Sequence, residues 1–386
     1  MQQFTPTTAE ELADVLRSAA ANTQTIQITG NNSKRLMGGP VMPAHAVVST
    51  CRLGRVLRYE RDDLTVSVET GMPFAQLQVL LANNNQMLAI DPPFAASATV
   101  GGVLGTNSSG PMRRGFGTAR DLLIGMTFAT LDGKLIKTGG MVVKNVAGLD
   151  LGKLMIGSFG TLAVIASANF RVHSMPPETR TFLFSYKDVD SAVETRDRIV
   201  RSCFQPMALD VITPPAAARL GTEGYLLAVR AGGSARVLKR YTCEFPEARK
   251  LTGRDDADFW QRVQEFSTDF LKRQPSGIIV RISTTLSEVR SVLKLLSSGC
   301  ISRAGSGVTY VYLTTWQGVL PLWQAGRQRG WNVVVEFAPD EIRASKELWL
   351  QSSDAAHANA FGMMVKVKRM LDPDQLLNRS RLYGRI

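Results

Sequence analysis

A glycine-rich stretch between residues 91 and 121 carries the residue types best able to hold a ligand. Six of its 31 residues are glycine, and small hydroxyls and three arginines accompany them. Such glycine density lets a backbone turn tightly or lie against a flat or anionic group. Structureless loops longer than about 12–15 residues in a compact domain are usually functional or disordered. Since strand-like segments flank it, the stretch predicts an ordered loop beside a ligand, with a plain surface loop as the alternative.

A second polar loop follows a predicted strand at Thr25 to Thr29. It consists of Gly30, Asn31, Asn32, Ser33 and Lys34. Glycine and asparagine tolerate left-handed conformations, and consecutive backbone N–H groups can form an anion-binding nest to which a lysine adds charge. An ordinary polar turn is the alternative. Together, a nest for a pyrophosphate and a glycine-rich wall for a flat ring suit a dinucleotide cofactor.

Other common cofactor, metal and nucleic-acid signatures are absent from the sequence. No Gly-x-x-x-x-Gly-Lys-Ser/Thr run exists, and no strand leads into a Gly-x-Gly-x-x-Gly turn. The four cysteines are scattered without a Cys-x-x-Cys pair, which excludes a disulfide scaffold and a zinc or iron–sulfur site. The net charge is +12, but no Lys/Arg run exceeds two residues, so we predict no nucleic-acid partner.

The elements that would position these loops change in character at Pro176-Pro177. Before that point, Asp132-Gly133 is a hairpin signal, and the alternation from Leu64 to Glu69 predicts a strand with one solvent-facing side. Beyond it, strands and helices alternate twice over, which predicts a duplicated ferredoxin-like plait. The predicted fold class is α+β, with a first unit over 1–176, a cap domain over 177–345, and a helix and tail over 346–386.

The order and spacing of the motifs resemble the FAD-binding PCMH-type flavoproteins, the family of vanillyl-alcohol oxidase and p-cresol methylhydroxylase. Within that family the chain is most similar to the E-type flavin subunits of bacterial glycolate oxidase. The resemblance is strong over residues 1–175 and weak over 180–350. In the tail, Arg379 and Ser380 stand where the family has Pro-Gly, so that turn is expected to differ. The motifs that carry the resemblance are 30–34, Pro92-Pro93, 99–102, 110–114, Arg120-Asp121, 144–150, 157–162, 371–373 and 378–381.

The resemblance implies FAD as the cofactor, bound by the unit over 1–176, and it implies that the tail over 346–386 returns to that unit. It implies that residues 30–34 bind the pyrophosphate, that 99–110 pass beside the flavin, and that 160–165 lie near the adenine half. Some relatives tether FAD through a histidine, but the three histidines here lie outside those loops, which favours non-covalent FAD. The implied cofactor residues are Gly30, Asn31, Asn32, Ser33, Lys34, Pro92, Thr99, Gly101, Gly102, Thr106, Ser109, Gly110, Gly160, Val164 and Ile165.

The resemblance also implies a role inside a complex. The chain would be the FAD-binding subunit of a glycolate oxidase, passing electrons from a glycolate- or lactate-like 2-hydroxy acid to partners. Those partners would be a second flavin subunit and an iron–sulfur subunit. Two alternatives stay open: a stand-alone FAD-dependent 2-hydroxy-acid dehydrogenase, and a non-catalytic subunit that only holds FAD. A cytoplasmic location is expected, with attachment to the inner face of the membrane through partners, since no apolar run of 18 residues occurs.

No catalytic residue can be assigned from the sequence. Hydroxy-acid oxidation needs a base for the hydroxyl proton and a cation for the carboxylate. Beyond Pro177 the sequence holds a single histidine, His357, inside a predicted helix, and no His-x-His metal pair occurs, so no metal site is predicted. Four cations near the motifs could face a flavin, although structural salt bridges are the favoured role for each: Lys144, Arg113, Arg114 and Arg381.

Overall fold

The computed structural model describes residues 1–141, 150–350 and 355–386. The predicted tight loop from Lys144 to Gly148 lies outside the described residues. The described chain forms two α+β units and a C-terminal segment that runs back to the first unit. This arrangement confirms the predicted fold class, while the domain boundaries at 176 and 345 stay predictions.

The first unit contains two main sheets. A parallel sheet has the strand order β1-β3-β2, an antiparallel sheet has the order β4-β5-β9-β7-β8, and β6 pairs with β10. The strands are β1 (Gln2–Phe4), β2 (Ile26–Thr29), β3 (Ala46–Ser49), β4 (Val56–Glu60), β5 (Thr65–Glu69), β6 (Gln86–Met87), β7 (Leu123–Ala129), β8 (Leu135–Gly139), β9 (Val164–Arg171) and β10 (His173–Ser174). The helices are α1 (Ala9–Ala21), α2 (Phe74–Ala82), α3 (Val100–Thr106), α4 (Arg113–Phe116), α5 (Ala119–Leu122) and α6 (Leu151–Met155).

Strand β5 differs from the prediction that one of its sides faces solvent. All five of its residues are buried, because β5 lies between β4 and β9 and both of its sides are covered. The polar side chains find partners there: Ser67 Oγ donates to Asn169 Oδ1 at 2.7 Å, and Glu69 pairs with Arg55 at 2.7 Å. Alternation of polar and apolar residues therefore located the strand correctly but not its exposure.

The glycine-rich stretch is not a continuous loop as predicted, because it contains the short helices α3, α4 and α5. Thr99 begins α3, and its Oγ1 accepts a hydrogen bond from the backbone N–H of Gly102 at 3.1 Å. Asp121 in turn accepts from the backbone N–H of Thr118 at 2.7 Å, which caps α5. Such caps satisfy otherwise free donors, so even glycine-rich sequence can form a single helical turn or two.

The second unit is built on one eight-stranded antiparallel sheet of order β14-β11-β13-β12-β16-β17-β15-β18. Each half repeats the fourth-first-third-second strand order of a ferredoxin-like plait, which confirms the predicted duplication. Its strands are β11 (Glu178–Tyr186), β12 (Ala208–Ile212), β13 (Tyr225–Gly233), β14 (Arg249–Thr252), β15 (Ile278–Ser283), β16 (Gly299–Arg303), β17 (Val308–Leu313) and β18 (Asn332–Phe337). Its helices are α7 (Val189–Arg201), α8 (Pro214–Arg219), α9 (Ala235–Glu244), α10 (Gly253–Gln264), α11 (Phe266–Arg273), α12 (Val289–Leu295), α13 (Val319–Arg329) and α14 (Asp340–Ser345).

The C-terminal segment begins with α15 (Ala355–Leu371) and then runs along β2 of the first unit. The backbone N–H of Ile26 donates to the carbonyl of Leu376 at 2.8 Å, and that of Ile28 donates to Asn378 Oδ1 at 2.7 Å. These bonds place the tail beside the polar loop that follows β2. None of the helices in the described ranges is long and apolar enough to cross a bilayer.

Candidate functional site

A cavity of about 140 Å³ lies where the loop after β2 meets α3 and the segment that enters β9. It gathers three segments that are far apart in the chain. Ligand pockets usually enclose about 300–1,000 Å³, so a dinucleotide would occupy this cavity only in part. Twelve of the fifteen predicted cofactor residues line it: Gly30, Asn31, Asn32, Ser33, Lys34, Thr99, Gly101, Gly102, Thr106, Gly160, Val164 and Ile165.

The loop after β2 is shaped by one close contact and one left-handed residue. A Cβ at Gly30 would lie 2.4 Å from Thr99 Oγ1, so glycine is needed there for the approach of α3. The left-handed residue of this loop is Asn32, with φ of 56°, whereas Gly30 does not have a positive φ. Of the loop residues that tolerate a left-handed conformation, Asn32 adopts it, and the role of Gly30 is to leave room for Thr99.

Lys34 is one of two cations in the described ranges that line the cavity, and Arg381 is the other. The side chain of Lys34 is only 7% exposed, and its Nζ has no hydrogen-bond partner among the described residues. Burial lowers the pKa of the Lys34 ammonium to about 8. A buried ammonium without a partner is costly, and an anionic group in the cavity would relieve that cost.

Helix α3 turns its glycine face to the cavity. A Cβ at Gly102 would meet only Thr99 Oγ1, at 3.3 Å, and a Cβ at Gly105 would meet nothing within 4 Å. Gly101 is different, because a Cβ there would lie 3.1 Å from Thr70. Gly105 lines the cavity although sequence reasoning did not select it. Its place in the same glycine run, one turn after Gly102, was the signal that could have found it.

Three predicted cofactor residues do not line this cavity. The carbonyl of Pro92 accepts from Gln264 Nε2 at 2.9 Å, which joins the first unit to α10. Ser109 Oγ accepts from Arg113 Nη1 at 3.1 Å. A Cβ at Gly110 would lie 1.9 Å from the carbonyl oxygen of Asp91, so this glycine permits two backbone segments to touch.

Two tail residues complete the cavity wall, Asn378 and Arg381. Asn378 Nδ2 donates to the carbonyl of Phe159 at 2.7 Å, next to Gly160. Arg381 donates to the backbone carbonyls of Gly39 and, at 3.3 Å, Arg35.

The salt bridges expected for the cations near the motifs are absent where they can be assessed. In the part of the chain that the structure describes, Arg113, Arg114 and Arg381 form none, because hydroxyl and carbonyl oxygens take the donors of Arg113 and Arg381. Lys144 lies outside the described residues. The other lining residues that sequence reasoning missed are Ile28, Thr29, Thr50, Phe159 and Ala163.

A buried polar cluster on the cap sheet faces the first unit near the cavity. Arg281 on β15 pairs with Glu336 on β18, with Nε and Oε1 3.1 Å apart. Burial raises the pKa of Glu336. Tyr383 of the tail belongs to the same cluster, and its ring packs edge-on against Phe159 of the cavity wall at 5.3 Å. Strand alternation in the sequence did not reveal which face these side chains would share.

His45 and His173 make structural contacts. His45 Nδ1 lies 2.8 Å from Thr25 Oγ1, and the ring of His173 packs edge-on against Phe116. Burial lowers the pKa of His173. Across the described ranges, no group of three or more His, Cys, Asp or Glu side chains is placed to hold a metal ion.

Comparison with known proteins finds a protein family that matches the first unit. Residues 2–139 match the family described as "FAD binding domain". The first unit is therefore similar in sequence to FAD-binding domains. The chain is 29% identical over 278 residues to glycolate oxidase subunit GlcE of Escherichia coli K12, a match that covers 71% of this chain and 73% of that protein.

Other relatives match about half of the chain. Glycolate oxidase subunit GlcD of Bacillus subtilis 168 is 26% identical over 54% of this chain, and a D-lactate dehydrogenase of Archaeoglobus fulgidus is 28% identical over 53%. The matches span less than half of those proteins, 45% and 46%. The chain is thus related in sequence to FAD-linked oxidoreductases.

Solved structures extend the likeness to the whole fold. The 4-ethylphenol oxidase of Gulosibacter chungangensis superposes with a TM-score of 0.72, at 14% identity, covering 98% of this chain and 88% of that one. An alkyldihydroxyacetonephosphate synthase superposes with a TM-score of 0.70, at 15% identity, covering 97% and 75%. At such identities the likeness concerns the fold alone.

Proposed function

We propose that this chain is the FAD-binding subunit of a glycolate-oxidase-type complex that oxidises a small 2-hydroxy acid. The observation that carries the proposal is the cavity that unites residues 30–34 with α3, residues 160–165 and the tail. The relationship to GlcE and to D-lactate dehydrogenases supports the substrate class and the membership of a complex.

The cavity suits the diphosphate part of FAD. The loop at 30–34 offers backbone donors, the glycine face of α3 leaves room, and Lys34 supplies a buried cation without a partner among the described residues. We propose that FAD is held there without a covalent bond, since neither His45 nor His173 lines the cavity. When bound, FAD supplies the acceptor for the two electrons removed from the substrate.

The buried cluster on the cap sheet suits the substrate. Arg281 offers a guanidinium to a carboxylate, and a planar fork of donors matches that group. Glu336 has a pKa raised by burial, which suits a group that accepts the hydroxyl proton. Tyr310, which is 9% exposed and paired in register with Arg281, closes one side of the cluster.

We propose that a partner subunit accepts the electrons, and the distribution of cysteines is consistent with that role. The four thiols are free, three of them exposed and one buried, and they are too scattered in the sequence to bind an iron–sulfur cluster. A partner subunit must therefore carry any cluster that receives the electrons.

The test is anaerobic mixing of the flavin-loaded chain with glycolate or D-lactate in a stopped-flow spectrometer. The lone chain should bleach slowly or not at all, and bleaching should become fast when a second flavin subunit and an iron–sulfur subunit are co-expressed. The same mixing with Arg281→Met in the complex should raise the KM for the acid. Absence of any bleaching in the full complex would contradict the proposal.

A stand-alone 2-hydroxy-acid dehydrogenase is the second candidate. The Arg281–Glu336 pair favours it, because this chain by itself provides both a cation and a carboxylate beside the cofactor cavity. Fast bleaching of the lone chain by glycolate or D-lactate would select this function over the subunit role.

A further inference from the structure

A groove of about 1330 Å³ lies between the two units. One wall is formed by α2 and the residues that follow β6, and the other by α10 and α11 of the cap. We call it the interdomain groove. Ser33 lines both this groove and the smaller cavity, so the two adjoin. Neither the proposed FAD site nor the Arg281–Glu336 cluster occupies it.

The inner part of the interdomain groove is apolar. Phe74, Ile90 and Phe337 line it and are each 2% exposed, and Phe266 is 4% exposed. The ring of Phe94 stacks on that of Phe337, with centroids 5.5 Å apart. A wall of this kind favours an apolar body, because each Å² of apolar surface removed from water contributes about 25 cal/mol.

The outer rim of the groove is basic. Five cations line it: Arg35, Arg219, Arg262, Lys272 and Arg273. Among the described salt bridges, none engages Arg262 or Lys272. Arg262, which is exposed, donates only to the carbonyl of Arg219, at 2.8 Å.

Three carboxylates of the described residues line the groove: Asp91, Glu265 and Asp269. Asp91 is buried and accepts from the backbone N–H of Met112 through one oxygen, whereas the other two are fully engaged. Glu265 accepts from the backbone N–H groups of Phe94 and Ala95, each at 2.9 Å. Asp269 pairs with Arg219 at 3.4 Å and with Arg273 at 3.1 Å. Arg262 and Lys272 can therefore pair with an anion from outside the chain.

We propose that the interdomain groove binds an anionic amphiphile, with its apolar body along Phe74, Phe266 and Phe337 and its acid group on Arg262 and Lys272. Charge-assisted hydrogen bonds from two cations would fix the acid group, and burial of the body would supply the affinity. The groove exceeds the usual ligand pocket of about 300–1,000 Å³, so a chain of several methylenes fits. This second site goes beyond the proposed oxidation and does not depend on it.

The test is isothermal titration calorimetry of the full chain with decanoate, below its micelle concentration, and with decanol and decyltrimethylammonium as neutral and cationic probes of equal length. Decanoate should bind at one site per chain, and more tightly than the other two. The double variant Arg262→Glu/Lys272→Glu should weaken decanoate binding about tenfold. Ala75→Trp, which fills the groove from α2, should abolish binding.

Matched controls separate the site from general effects. Lys239→Glu reverses an exposed charge on α9, and Val79→Trp adds the same bulk on α2 outside the groove. Both should bind decanoate as the wild type does. If Ala75→Trp does not fold, the double variant at the exposed Arg262 and Lys272 still tests whether decanoate binds in the groove. Equal binding of the cationic probe, equal loss in Lys239→Glu, or no binding of decanoate would each overturn the proposal. Flavin content, measured on the same samples, reports separately on the proposed FAD site.

Discussion

At the scale of single residues, the burial of Lys34 links cofactor binding to pH. Its pKa is lowered to about 8 because the ammonium is desolvated. A bound diphosphate would favour the charged form, so FAD binding should be accompanied by proton uptake. At higher pH the neutral amine dominates, and it lacks the charge that attracts the diphosphate of the cofactor.

We therefore predict that the Kd for FAD rises by up to about tenfold per pH unit above about pH 8. Lys34→Arg keeps its charge throughout this range, so its Kd should stay nearly constant. Quenching of flavin fluorescence at a series of pH values measures both. A wild-type Kd that does not change with pH would remove Lys34 from the cofactor site.

Asp91 makes a second pH-dependent contribution, this time to stability. Burial raises the pKa of its carboxyl from 3.8 to about 7, although its Oδ2 accepts from the backbone N–H of Met112 at 2.9 Å. The folded chain thus keeps a proton that the unfolded chain loses from about pH 4 upward. Its stabilising effect is full at low pH and is lost as pH rises towards 7.

Asp91→Asn should remove this dependence while leaving an acceptor for Met112. Relative to the wild type, the variant should gain about 2 kcal/mol in free energy of unfolding between about pH 5 and pH 8. Urea denaturation at the two pH values measures the gain. A difference between variant and wild type that is the same at both values would show that Asp91 ionises normally in the fold.

At the scale of elements, the tail is held against the first unit by a buried ion pair. Lys368 on α15 and Asp372 are 5% and 0% exposed and contact each other. Lys368 Nζ also donates to the carbonyl of Thr161 at 2.7 Å, and Asp372 accepts from the backbone N–H groups of Leu376 and Leu377, each at 2.8 Å. We call these contacts of Lys368 and Asp372 the clasp. Because the clasp holds Leu377, it sets the position of Asn378, the next residue.

Asp372→Ala should cost about 3 kcal/mol, because it strands a buried ammonium and two buried N–H groups. It should also weaken FAD binding, because Asn378 and Arg381 lose their support. Asp14→Ala is the control, since it breaks an exposed pair with Arg17 and should cost less than about 1 kcal/mol. Denaturation and FAD titration of both variants give the comparison. Equal costs for the two would mean that the clasp does not hold the tail.

Element types were more predictable from the sequence than element surroundings. The duplicated plait could be predicted because strand and helix periodicities alternate along the chain. The burial of both sides of β5 could not, because it depends on what covers Thr65 and Ser67 from elsewhere. The short helix α3 was missed because glycine lowers helix propensity, and only the cap supplied by Thr99 reveals its start.

At the scale of the whole molecule, the sequence motifs predicted most of the residues that line the cofactor cavity. They predicted none of the Arg281–Glu336 cluster on the cap sheet. Residues 30–34 and 99–106 have recognisable spacing, and the structure brings them together in one cavity. Arg281 and Glu336 come from strands far beyond that first loop in the chain, and their shared sheet face depends on register rather than on local pattern. The Arg281–Glu336 cluster could therefore be identified only from the three-dimensional structure.

The central claim is that the cavity between the loop at 30–34, α3 and the tail holds FAD. Gly105 tests it best, because it lines the cavity and a Cβ there would meet no other part of the protein within 4 Å. Glycine is also a poor residue inside a helix, so a leucine at this position should stabilise α3 by about 0.5–1 kcal/mol. Gly362 in α15 has equally open surroundings outside the cavity, and Gly362→Leu is the matched control.

The decisive measurement is the Kd for FAD of the wild type, Gly105→Leu and Gly362→Leu, titrated after removal of bound flavin and alongside thermal unfolding. We predict that Gly105→Leu raises the Kd by about a hundredfold or more while its unfolding temperature without flavin is not lowered, and that Gly362→Leu binds FAD as the wild type does. A folded Gly105→Leu chain that binds FAD as tightly as the wild type would contradict the claim.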